Sequence, residues 1–464
     1  MSDTKLLHEV VHSATEVPLY KKIEVVFQLS LPAILAQISE IAMQYIDAAM
    51  VGSLGAEASA SIGLVSTTTW LFGGCISATA AGFYVQIAHA IGGTKYERAK
   101  SILKQGLYIS LGISLIIAIV GSGLAFVLPS WLGGAPEILK DAQDYFLVFA
   151  LFAPFRMMFY FHNGALQATG NMKVPSILSS LMCILDILFN ALFIFPSNTF
   201  WNLPGLNLGV LGAALGTAIS YVVVSVLLIY FTDIRTEELN IFHGGSWKPD
   251  REICNTAASI GLPIALEQVA MTSAQVYSTK IVAPLGTNAI AANSFAVTAE
   301  SICYMPGYGI ANAATTLVGQ CIGAQNTDLA KGFAWLSTFL GMAVMTCMAI
   351  LMFFVCPFVF AFLTPVTEVQ KLGIEVLRIE LFAEPLFAAS ICATGALRGA
   401  GDTLVPGIMN FVSIWGVRIT LASILSRTIG LKGVWIGMAC EISFRGILFL
   451  IRLARGKWLK KLEV

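Results

Sequence analysis

The chain is predicted to be an all-α integral membrane protein. It reads as twelve transmembrane helices in two six-helix lobes related by a pseudo-twofold axis. Three observations predict this: composition, the spacing of apolar runs, and an internal repeat. Hydrophobic residues make up 57% of the 464 residues and charged residues only 12%, with a mean hydropathy of +0.79. A soluble chain carries about 25% charge, so this one lacks the polar surface that water requires. The formal net charge is zero, which gives no argument for a nucleic-acid partner. The 41 glycines suit close helix contacts in lipid.

The elements follow in order from apolar runs of roughly 20 residues or more, the length that crosses a bilayer. Residues 1–26 are polar and form a cytoplasmic arm, read as interfacial or disordered between Leu7 and Tyr20, without the apolar core of a signal peptide. The first lobe spans 27–232, with helices at 27–50, 59–90, 102–129, 139–168, 173–197 and 208–232. A polar linker at 233–251 follows. The second lobe spans 252–453, with helices at 252–283, 290–320, 331–358, 368–398, 403–427 and 432–453, before a basic tail at 454–464. Five prolines on spans (Pro32, Pro154, Pro263, Pro306 and Pro385) suggest kinks. Nine cysteines are scattered through apolar runs without a CxxC pair, and read as packing residues.

Orientation follows from lysine and arginine, which accumulate on the cytoplasmic side. With the N-terminus inside and spans alternating, eighteen fall on inside segments and four on outside loops (Lys140, Lys371, Arg427 and Lys432). Both termini are therefore expected in the cytoplasm. The repeat has a fixed offset of 231 residues. Leu31-Pro32 matches Leu262-Pro263, Gln37 and Gln44 match Gln268 and Gln275, and Gly164-Ala165-Leu166 matches Gly395-Ala396-Leu397. Six spans per half insert both halves the same way up, which implies an axis along the membrane normal and a substrate pathway between the lobes.

Charged groups inside spans are costly and mark candidate sites. The first helix carries Glu40 and Asp47, with Gln37 and Gln44 on a neighbouring strip. Asp47 lies near the outer end, so a solvated helix-end aspartate is its alternative reading. The fifth helix carries Asp186 and Asn190 four residues apart, hence on one face. Their oxygens suit a small hard cation, and the alternative is a structural hydrogen bond. In the second lobe Glu267, Gln275, Glu300 and Glu384 are candidates for cavity lining, and Glu441, four before Arg445, for a buried ion pair. Arg156, Lys280, Arg378 and Arg418 could neutralise other acids. His89 and His162, near span ends, read as structural. No GxxxxGK[ST] or GxSxG motif occurs, and the run of HExxH form, HEVVH at 8–12, lies in the polar arm outside the spans, so energy for active transport would come from an ion gradient, and enzymatic chemistry has no visible site within the spans.

The segments LPAILAQ...YIDAAMVGSLGAEASASIG (31–63), GVLGAALGTAIS (209–220) and GALRGAGDTLVP (395–406), with the duplication, resemble the multidrug and toxic compound extrusion (MATE) family in its prokaryotic NorM/DinF-like branches. The resemblance covers essentially the whole chain. It implies antiport of organic cations and amphipathic drugs against protons or sodium ions in the bacterial inner membrane, with no cofactor, by a monomer that is not an enzyme. It also implies an ion-coupling site at Asp47, Asp186, Asn190 and Thr217, where sodium could bind. Relatives often place Asn first and Asp second in the fifth helix; here the order is exchanged. The resemblance fits Glu267 to a seventh-helix glutamate of the NorM-like branch. Its tenth-helix aspartate would fall at Phe387 and a tyrosine at Ala383, leaving Glu384, about one turn away, as the candidate replacement. The rival readings are a lipid-linked precursor flippase of a related branch and a membrane-embedded transferase.

Overall fold

The computed structural model describes residues 2–13, 16–196 and 205–460. Helix is the form in which a chain surrounded by lipid satisfies its backbone internally, and the described residues form no strand; Pro196 and Leu206 make an isolated bridge. Twelve long helical stretches follow in chain order. The first six are Leu19–Gly52, Ala56–Gly92, Tyr96–Ala125, the pair Pro136–Leu151 and Ala153–Ala168, Lys173–Ile194 and Gly209–Tyr230. The next six are Arg251–Val282, Thr287–Gly323, Thr327–Leu363, the pair Thr367–Leu381 and Glu384–Gly399, the composite Leu404–Ile429, and Leu431–Arg455. Below they are called the first to twelfth spans.

Eight of these helices, or nine with the bent fourth pair, are long and apolar enough to cross a membrane by length and composition. The seventh, eighth and tenth fall short, and they carry Glu267, Glu300 and Glu384 among many small polar residues.

Several helices overrun the apolar runs that predict them, because charged residues at their ends continue the helix. The third starts at Tyr96, where Lys100 pairs with Glu97 at 3.2 Å. In the arm, Ser2–Val11 is helical rather than disordered, with Leu7, Val10 and Val11 buried, and Lys21 meets Glu9 at 3.4 Å. The prolines divide into two groups. Pro32, Pro263 and Pro306 lie inside continuous helices. Pro154 and Pro385 instead open the second pieces of the fourth and tenth spans. The fourth span bends there by 49°, since a proline cannot donate the helical bond of the preceding turn.

By packing, the chain divides into one unit of Ile38–Ala265 and another of Met1–Gln37 with Leu266–Val464. This division does not follow the 27–232 and 252–453 lobes read from the sequence. The first span is cut after Gln37 and the seventh after Ala265, so a single helix serves two packing environments. The repeat reappears in backbone conformation. Left-handed residues recur 231 apart at Gly55 and Gly286, Thr94 and Gln325, and Gly170 and Gly401. Within the second unit, a Cβ at Gly395 would collide with the Ala311 carbonyl; within the first, one at Gly164 would collide with the Tyr84 ring.

The linker after the sixth span is held along the third. Lys104 Nζ donates to the carbonyls of Gly244 at 2.7 Å and Gly245 at 3.2 Å. Glu97 and Gln105 accept from the backbone of Gly245 and Asp250. No disulfide links the cysteines, all of which are free.

Candidate functional site

The fifth span aligns Met182, Asp186, Asn190 and Ile194 at intervals of four, and all four are buried. The sixth span meets that face with its small residues. A Cβ at Gly212 would strike the Phe193 carbonyl, and one at Gly216 would strike the Asn190 amide. Glycine at 216 is therefore what lets the Asn190 side chain occupy its place. Asp47 arrives from the first span, within the same packing unit. Asn190 Nδ2 donates to Asp47 Oδ1 at 2.7 Å and to Asp186 Oδ2 at 3.1 Å. Asp47 and Asp186 also lie in hydrogen-bonding reach of each other and of the Thr217 hydroxyl.

All four residues expected at this site thus meet. Asp47 is tied into a polar cluster rather than solvated at a helix end. The exchanged order of Asp186 and Asn190 leaves both groups on the same face. Two carboxylates, an amide and a hydroxyl form an oxygen-rich donor set for a small hard cation. Asp186 Oδ1 and Asn190 Oδ1 are buried without a donor, so two acceptors remain for such an ion. The Asn190 amide faces the carboxylates through its nitrogen, however, and a metal ion would need the oxygen turned toward them. No group of three or more His, Cys, Asp or Glu side chains fit to hold a metal ion occurs among the described residues.

Other candidates in this unit are placed differently. Glu40 accepts from the Tyr160 hydroxyl at 3.2 Å, while Gln44 is exposed. Arg156 lines a cleft with Tyr145, Phe149, Phe152, Thr217 and Tyr221. His162 is structural, with Nδ1 against the Met158 carbonyl at 2.9 Å and Nε2 3.5 Å from Asp233. Gln37 is half-buried and belongs to the other unit.

In that second unit the acids separate into three groups. Glu267 is bound on both oxygens: Arg398 donates at 3.0 Å and Asn410 at 2.6 Å. Glu441 forms the expected ion pair with Arg445 at 3.1 Å, extended to Arg418 at 2.8 Å and to Ser413 at 2.5 Å. Glu380 and Glu384, one turn apart at the break of the tenth span, are fully buried, and none of their four carboxyl oxygens has a hydrogen-bond partner. The charged neighbours they feel are Glu300 for both and, for Glu380, also Glu384 and Arg418, but not Glu267. Glu384 therefore does not rebuild an acid pair with Glu267. Phe387, where the resemblance places an aspartate, is a buried ring with the Arg445 guanidinium 5.4 Å from its centroid. Gln275 is exposed.

Sequence reasoning missed Glu380, and missed Arg398 and Asn410 as the partners of Glu267. An arginine at the end of one span and an asparagine in the next carry no local signal of meeting a glutamate more than 130 positions earlier.

Comparison with known proteins identifies the family. The family model described as MatE matches twice, over residues 32–192 and 263–424, with starting points 231 apart. The chain is 28% identical over 464 aligned residues to a probable multidrug resistance protein NorM of Thermotoga maritima, covering 96% of this chain and 95% of that one. It is 26% identical to a probable NorM of Bacillus anthracis, covering 92% and 93%. A solved structure of MATE in the straight conformation superposes with a TM-score of 0.89 at 23% identity, covering 100% of both chains. A transporter of the MOP superfamily from Pyrococcus furiosus gives 0.89 at 21% identity, covering 100% of this chain and 99% of the other. With twelve helical stretches, a duplicated family match across most of its length and this fold, the chain is a multi-pass membrane transporter belonging to the MatE family.

Proposed function

We propose that the chain is a secondary active antiporter of the bacterial cell membrane, with both termini cytoplasmic. It would export organic cations and amphipathic drugs in exchange for protons, with sodium as the alternative coupling ion. The cluster of Asp47, Asp186, Asn190 and Thr217 carries this reading. The relatives named as multidrug resistance proteins support the substrate class.

An ionised carboxylate buried without full compensation costs several kcal/mol. Closing the site over two neighbouring aspartates therefore favours uptake of a cation. A proton suits the observed contacts, because two carboxyl groups in hydrogen-bonding reach can share one while Asn190 donates to both. Sodium would require the amide to turn and present Oδ1. In the cycle, the site takes up its ion when open to the outside and loses it when open to the cytoplasm. Ion and drug need only favour different states to be exchanged. Glu40, Gln37, Gln44, Glu267, Gln275, Glu300 and Glu384 are the further polar groups that would favour cationic cargo, with Gln44 and Gln275 the accessible ones. Glu267, already bound by Arg398 and Asn410, and Glu384, fully buried, are the least available.

Drug efflux from vesicles tests the assignment. Asp47→Asn and Asp186→Asn should each reduce gradient-driven efflux by about tenfold or more, the order expected for losing a charged hydrogen-bonding group. Undiminished efflux in both variants would remove the coupling role.

A further inference from the structure

The polar arm holds a motif that the proposed transport leaves unused, HEVVH at 8–12. It falls on the helix Ser2–Val11, whose apolar face is seated, with Leu7, Val10 and Val11 buried. His8, Glu9 and His12 are exposed beside that face. Helical spacing carries one residue past the last turn, because the His12 backbone N–H still donates to the His8 carbonyl at 3.1 Å. Side chains four apart on a helix stand one above the other. The two imidazole rings accordingly lie side by side, with centroids 4.3 Å apart and planes tilted by 48°.

Two imidazoles on one turn are a chelating pair for a divalent transition metal. Each gives one ring nitrogen to the ion and keeps the other for a hydrogen bond. In the hydrolytic use of this pattern, the glutamate acts on a metal-bound water and a third side chain completes the protein ligands. Neither condition is met here. Glu9 meets Lys21 at 3.4 Å, and no third His, Cys, Asp or Glu joins the pair among the described residues. Water then supplies the remaining ligands, and the site binds without cutting. Imidazole favours copper, nickel and zinc over magnesium and calcium, which prefer oxygen.

We infer that His8 and His12 form a binding site for a divalent transition-metal ion of the copper, nickel and zinc class. The arm belongs to the packing unit that contains the start of the first span and Leu266–Val464. The Lys21–Glu9 pair ties it to that span. A bound ion closes a ring across the last turn of the arm and fixes the helix end where the chain turns toward the first span. The site is independent of the efflux reading, since it uses neither the Asp47 cluster nor cargo.

The test titrates the full chain, purified without a histidine tag, with Ni2+ by isothermal calorimetry. Mg2+ is the oxygen-seeking control. A single Ni2+ should bind per chain in the wild type, and Mg2+ should not displace it. Losing one of two linked ligands removes the gain from chelation, so His8→Gln and His12→Gln should each weaken Ni2+ binding by about a hundredfold. The paired change His12→Ser with Ser13→His keeps the composition but moves the second imidazole off the common face, and should weaken binding equally. Ni2+ should raise the melting temperature of the wild type and leave that of the paired variant unchanged. Without metal all the variants should melt with the wild type, because these side chains are exposed.

Undiminished Ni2+ affinity in the variants would place the ion elsewhere, on the free cysteines or the other histidines, and would overturn the site. So would displacement by Mg2+, or no binding by the wild type up to about 1 mM Ni2+.

Discussion

Asn190 holds Asp47 and Asp186 with one amide nitrogen, and Gly216 leaves the space in which it does so. Gly216→Ala would therefore push the Asn190 amide away from its place. We expect transport to fall by about tenfold, and stability by about 1–3 kcal/mol, the usual cost of overpacking. Drug efflux and thermal unfolding in detergent measure the two effects. An alanine variant with both unchanged would show that the amide is not confined by the sixth span. At this scale the sequence was readable where spacing speaks: Asp186 and Asn190 four apart must share a face. It was silent on Glu380, which lies inside the 368–398 span but was not singled out there. Glu380 is fully buried just before the break of the tenth span. Because Glu380 and Glu384 have no donors, replacing one of them by an isosteric amide removes a poorly solvated acid. Glu384→Gln should unfold at a temperature equal to or above the wild type, which a thermal melt checks.

The eleventh and twelfth spans are joined by Glu441, which takes Arg418, Arg445 and Ser413 at once. Taking away the carboxylate leaves two guanidinium groups without their acid in the interior of one unit. Glu441→Ala should destabilise the protein by about 3–5 kcal/mol, visible as a lower melting temperature, whereas a loss under about 1 kcal/mol would place the network in water. The i,i+4 half of this network was visible in the sequence, but Arg418 was not assigned to it. Its span contains a π-helical stretch, Val412–Arg418, that alters the simple helical periodicity. Prolines were similarly ambiguous. Pro32 and Pro154 look alike in sequence, yet only the second opens a new helical piece.

For the whole molecule, the fold was the most legible feature, because lipid imposes helices and their length on any chain this apolar. The 231-residue offset seen in Leu31-Pro32 and Leu262-Pro263 returns in the left-handed pairs Thr94 and Gln325 and in the two family matches. Packing is less legible than sequence symmetry: the first and seventh spans each change units partway, at Gln37 and Ala265. Orientation rests on eighteen lysines and arginines against four. Reporter fusions at both ends should accordingly be active only in the cytoplasm; activity of either on the outer side would reverse the assignment.

In the proposed function, an ion gradient drives export through the Asp47–Asp186 pair. Proteoliposomes loaded with a fluorescent organic cation, given a proton or a sodium gradient one at a time, measure it most directly. Export should be driven by the proton gradient in the wild type and lost in Asp186→Asn, with little response to sodium alone. Export that proceeds equally in the variant, or without any gradient, would contradict it.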